Sequence, residues 1–211
     1  NDTATTEIYT LSLHDALPIF VFGVDKTYNL GEVHVTVSVF KQQKVRTITT
    51  GDHPIFLGPM FLHGNSDFNT YASFFTHLSA QLIDAHSLPV VGSDDEKALC
   101  RAISLAFPNT AHLTCTPHLE LNVKAYLQDK IGSTKEIRQE IVDKIFDKDG
   151  VLGADDNIIF EQRVEEAKRV CGDRAPEFTK YLESRMIPIL KENLEATKRQ
   201  GISGNTFWTN N

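Results

Sequence analysis

With 211 residues, 41% of them hydrophobic and 23% charged, the chain has material for one globular core and a sizeable appendage. A formal net charge of -7 makes most of its surface repel a phosphate backbone, so any nucleic-acid contact has to use a local patch. Cys100, Cys115 and Cys171 have no framework spacing and suit free thiols in a reducing compartment, and no apolar run reaches membrane-spanning length.

Back-translated, residues 1–19 resemble a common sequencing adapter codon for codon, so they are set aside as an artefactual or disordered leader. His14 and Asp15 therefore carry no weight as a catalytic pair. From Phe20 the pattern is strand-rich. An apolar run, Phe20-Val21-Phe22-Gly23-Val24, ends at Asp25, and Asn29-Leu30-Gly31 supplies turn residues before residues 32–40. There Val33, Val35, Val37 and Val39 alternate with His34, Thr36 and Ser38, the period of a half-buried strand, so the two runs predict an antiparallel hairpin. Residues 55–63 predict a third strand, which Pro59 places at an edge or on a bulge.

Asp67 is a cap for the helix that follows, with Phe68, Tyr71, Phe74, Phe75, Leu78, Leu82 and Ile83 on one apolar face. Residues 88–93 read as a buried strand and residues 95–107 as a helix. A short strand over 111–115 follows, and Pro117 then opens another helix in its first turn, where proline is tolerated. Beyond about Tyr126 the segments 133–146, 157–170 and 176–200 are charged and helical in period. Pro188 should break or kink the last of them. The run Asp147-Lys148-Asp149-Gly150 hints at a calcium loop, but its glycine is misplaced and the closing glutamate is absent, so a polar turn is expected.

The chemistry is read from two aspartates. Asp94 stands where a buried strand gives way to a helix, and Asp25 where the first apolar run stops. Strand ends in open sheets hold carboxylates on rigid backbone within reach of solvent, metal and substrate. Three antiparallel strands followed by helix-linked strands is the order of an α/β, ribonuclease-H-like fold. Its mixed five-stranded sheet, with flanking helices, makes the first and fourth strands central neighbours. Asp25 and Asp94 would then share divalent metal, and hard oxygen ligands suit Mg2+ or Mn2+.

The segments Asp25-Lys26-Thr27-Tyr28-Asn29-Leu30, Gly58-Pro59-Met60, Ser93-Asp94-Asp95-Glu96-Lys97-Ala98-Leu99, and Phe107-Pro108-Asn109 leading into His112-Leu113-Thr114-Cys115-Thr116-Pro117-His118 resemble the transposase domain of Mutator-like elements. The resemblance covers residues 20–127. It implies a ribonuclease-H-like core over 20–127, an all-helical insertion over 128–205, and a return towards the core beginning at 206–211. It implies an enzyme of the nucleus that cuts DNA and joins the freed ends to a target with two metal ions, as a possible homo-oligomer, with no membrane partner. Asp25 and Asp94 match the first two of three catalytic acids. The third, a glutamate, is expected beyond residue 211, after the asparagine-rich Phe207-Trp208-Thr209-Asn210-Asn211, so the fragment is expected to be inactive.

Two residues depart from the family pattern. Lys26 replaces a small or hydroxyl residue and would occupy or repel a metal beside Asp25, while Asp95 replaces glycine and is expected to begin the helix. Cys115 and His118 align with a cysteine-histidine pair typical of these transposases. Two ligands do not make a zinc site, which wants four, so a structural role at the strand-to-helix junction is expected rather than zinc. The rival reading is a domesticated, non-catalytic DNA- or chromatin-binding protein, favoured if Lys26 fills the space between the aspartates.

Overall fold

The computed structural model describes residues 19–42, 45–51, 53–81 and 88–200. The leader up to residue 18, Leu82, Ile83, His86 and the segment 206–211 with Trp208 lie outside the described residues. The chain divides into two compact units, Asn1–Leu113 and Thr114–Asn211.

The first unit is built on a mixed sheet whose strands lie in the order β3-β2-β1-β4-β5. Strands β1 (Ile19–Leu30) and β2 (Val33–Gln42) form the expected hairpin, with Asp25 opposite Val37. Gly31, at φ 71, supplies the left-handed residue that the connection needs. Strand β3 (Ile55–His63) pairs antiparallel with β2 at the sheet edge, and its register slips between Val37 and Val39. Gly58 and Pro59 lie in that slip. Pro59 is therefore both on an edge strand and at a bulge, and its carbonyl accepts a hydrogen bond from Ser38 Oγ at 2.5 Å. A Cβ on residue 58 would come within 2.6 Å of that hydroxyl, which leaves only glycine comfortable there.

Helix α1 (Phe68–Gln81) and the helix α2 (Lys97–Ala106) cover one face of this sheet, and strand β4 (Val90–Ser93) links them to its centre. Asp67 caps α1 as expected: its Oδ1 accepts from Thr70 N at 2.9 Å, and that backbone bond holds the carboxyl below its usual range. Phe22 and Val24 from β1, Phe40 from β2 and Val91 from β4 meet Tyr71, Phe75, Leu99 and Ile103 in one apolar core. Each such burial contributes on the order of 1.5–3 kcal/mol.

The alternation in β2 marks two faces, and the more polar one is the more deeply buried. Thr36 and Ser38 are inaccessible, while Val35, Val37 and Val39 are half-buried and Val33 is exposed. The buried Thr36 hydroxyl is satisfied: Thr36 Oγ1 bonds His63 Nε2 at 2.9 Å, and His63 Nδ1 bonds the Asn65 carbonyl at 2.7 Å. A carbonyl only accepts, so His63 carries its hydrogen on Nδ1 and takes the Thr36 hydrogen on Nε2. On β3, Leu57, Met60 and Leu62 are exposed.

Strand β5 (Ala111–Thr114) completes the sheet, and the division between the units falls within it. The second unit consists of α3 (Thr116–Asp129), α4 (Lys135–Phe146), a 3-10 turn Val151–Gly153, α5 (Asn157–Arg174), α6 (Pro176–Tyr181), a π turn Leu182–Met186 and α7 (Ile187–Gln200). Leu119, Val123 and Leu127 of α3 join Ile141, Phe160, Phe178 and Leu190 in its core. Among the described residues, no helix is long and apolar enough to cross a membrane.

The loop at Asp147 is a polar turn, as expected. Arg163 Nη1 donates to the carbonyls of Lys148 and Gly150 at 3.0 and 2.8 Å and so ties the turn to α5. Gly153 is required by close approach, since a Cβ there would lie 1.9 Å from the Lys148 carbonyl. Pro188 neither ends its helix nor acts alone. The chain widens into the π turn immediately before it, which accommodates a residue without an N–H and relieves the crowding against the turn before.

Asn193 was not distinguished in the sequence from its charged neighbours, yet it is buried and pairs with both backbone groups of Thr114. Its Oδ1 accepts from Thr114 N at 2.9 Å, and its Nδ2 donates to Thr114 O at 3.0 Å. Asn193→Leu keeps the volume and removes both bonds, and each buried group left unpaired costs about 1–3 kcal/mol. Urea denaturation is expected to show a loss of about 2 kcal/mol or more, and a loss below about 0.5 kcal/mol would mean that other groups replace the amide.

Candidate functional site

Strands β1 and β4 run parallel, with Val21 opposite Val90, Phe22 opposite Val91 and Gly23 opposite Gly92. Paired residues of parallel neighbours project to the same face. Carrying this register two residues further sets Asp25 opposite Asp94. The preceding rung on that face is glycine against glycine, so neither strand projects a side chain beside the carboxylates from it. Both aspartates are half-buried. Asp94 follows directly on the last residue of β4. Asp25 is not at the end of its strand, because β1 continues to Leu30, but by this register it lies one residue past the point where the neighbouring β4 stops.

Lys26 projects to the opposite face, with Phe22 and Val24. Its ammonium lies 3.5 Å from Glu96 Oε2, and its side chain is only 7% exposed. It is thus engaged on the helix-covered side of β1 rather than on the side of Asp25. Tyr71, fully buried in α1, donates its phenol to the same Glu96 oxygen at 3.3 Å. Burial raises the Tyr71 pKa well above its ordinary value, and the charges of Glu96 and Asp94 add to the rise. Glu96 thus fastens α1 and β1 to the N-terminus of α2. A tyrosine among the phenylalanines and leucines of an apolar helix face was the available signal, because a buried phenol needs a partner.

Helix α2 begins at Lys97 with Glu96 as its N-cap, so Asp95 precedes the helix instead of opening it. Its charge bears on Cys100 and His112. Burial, then the Asp95 charge, pushes the Cys100 thiol up to about 11, which keeps it an S–H donor at neutral pH. Burial holds the His112 pKa below its ordinary value against the opposing pull of Asp95. Ser93 Oγ bonds the Asp94 carbonyl at 2.8 Å and His112 Nε2 at 2.8 Å.

Cys115 is the buried N-cap of α3, and His118 lies in its first turn, where Nδ1 is buried and makes no hydrogen bond among the described residues. Cys171 is buried in α5, its thiol pushed up to about 12 by desolvation. Among the described residues, no three of His, Cys, Asp and Glu gather into a group able to hold a metal ion. No family model matches the chain, and no curated protein matches it either.

Removing one partner of a buried ion pair costs more than removing both, because the survivor stays charged. Glu96→Gln is expected to lower stability by about 2–3 kcal/mol, and adding Lys26→Met is expected to recover at least half of it. Additive losses in a denaturant double-mutant cycle would mean that the two side chains do not interact. His112 supplies a pH prediction. Its folded pKa lies below the unfolded value of 6.5, so the unfolded chain takes up the proton more readily. Its stability contribution is complete above 6.5 and is lost as pH falls through that value towards the folded pKa. Melting temperature should fall between pH 7 and pH 5, and His112→Gln should flatten that slope; an unchanged slope would acquit His112.

Proposed function

We propose that this chain carries the ribonuclease-H-like core of a Mutator-like transposase, in which Asp25 and Asp94 hold Mg2+ or Mn2+ for cleavage and strand transfer on DNA. The observation that carries this reading is the parallel pairing of β1 with β4 at the centre of a β3-β2-β1-β4-β5 sheet, whose register, extended two residues past its last pair, would set Asp25 beside Asp94. The motifs around both aspartates support it. Rigid neighbouring strands are suited to bringing carboxylates to one edge of a sheet, and carboxylate oxygen is a donor type that suits hard divalent ions. A bound ion would stabilise charge on a transferring phosphate and lower the pKa of an attacking water.

The residues fit part of such a donor set. Two carboxylates anchor an ion, and an octahedral ion draws its other ligands from water, substrate and a third acid. A local divalent charge also offsets the repulsion that a chain of net charge -7 presents to DNA. Lys26 pairs with Glu96 at 3.5 Å, which offsets part of the positive charge that would otherwise weigh against a cation beside Asp25.

Mn2+ titration of the whole chain, followed by electron paramagnetic resonance, tests the reading. Asp25→Asn and Asp94→Asn should each weaken binding at least tenfold without lowering the melting temperature. Equal affinity in wild type and both variants would overturn the site. Metal-dependent plasmid nicking that both substitutions abolish would show that two acids suffice for cleavage, against the need for a third.

A further inference from the structure

The geometry points to a clamp on the backbone of Asp94: we infer that Ser93, Cys100 and His112 are positioning residues that aim its carboxylate at the metal, a role that rests on the reading above. Asp94 is the first residue past β4, and α2 begins only at Lys97. The direction of its side chain is therefore not set by either regular element. Its carbonyl oxygen instead receives two side-chain donors, Ser93 Oγ at 2.8 Å and Cys100 Sγ at 3.4 Å.

The proton order follows from the groups themselves. A carbonyl only accepts, so Ser93 spends its single hydrogen on Asp94 and must accept from His112 Nε2. The relay runs from His112 N–H to Ser93 O–H to Asp94 C=O. It draws on β5, β4 and α2 at once. Ser93 is fully buried, so its orientation is fixed by these bonds and not shared with solvent. Fixing the peptide plane after Asp94 restricts the backbone from which the carboxylate projects. Groups that orient a ligand in this way typically contribute 10- to 100-fold in metal affinity.

The test compares Ser93→Ala, Cys100→Ala and the donor-retaining Cys100→Ser in the whole chain. It uses two readouts: Mn2+ affinity, and amide hydrogen exchange over residues 94–97 without metal. Both alanine variants should weaken Mn2+ binding about tenfold or more and speed local exchange, with exchange in α5 unchanged, while Cys100→Ser stays within about threefold of wild type. Native exchange and native affinity in both alanine variants would overturn the clamp. If wild type binds no Mn2+, the metal reading falls, and exchange alone decides the clamp: acceleration sustains it and native rates overturn it. Should Ser93→Ala not fold, the half-exposed Cys100 pair carries the same comparison.

Discussion

The pairing of β1 with β4 is the constraint on which the candidate site depends. A parallel ladder gives each residue of one strand a fixed counterpart on the other, and a shift of one residue would turn Asp25 to the opposite face. The register cannot drift cheaply, because Val21, Phe22, Val90 and Val91 are almost completely buried and would exchange faces together. The apolar residues that stabilise the sheet thus also fix the face to which Asp25 projects. Stability and site geometry share one cause.

Much of this was legible beforehand. The hairpin, the edge strand with its proline, the capped helix and the position of Asp94 follow from periods of 2 and 3.6 residues and from turn chemistry, all of which act locally. Less legible was the inward turn of Thr36 and Ser38, because their burial depends on His63 and Pro59, which lie 27 and 21 residues away. The partner of Lys26 was similarly hidden. Alternation puts Lys26 on the face opposite Asp25, but only the fold shows that Glu96 waits there.

The polar groups around β4 also differ in how they are satisfied. Glu96 serves Lys26 and Tyr71 through charge, whereas Ser93, His112 and Cys100 converge through neutral donors on backbone. A buried neutral chain has no unpaired charge to desolvate, so it can lie deeper than the ion pair. Each set nonetheless mixes depths: Ser93 and Tyr71 are inaccessible and Lys26 is nearly so, while Cys100, His112 and Glu96 are half-buried.

The outer strand of the sheet carries a lesson for handling the protein. With Leu57, Met60 and Leu62 open to water, β3 has the character of a template on which another extended chain would stack. Pro59 withholds one amide from that edge, and the register slip beside it bends the strand out of the flat form that propagates pairing. A residue that reads at first as a flaw in the strand thereby works against extension of the sheet along this border.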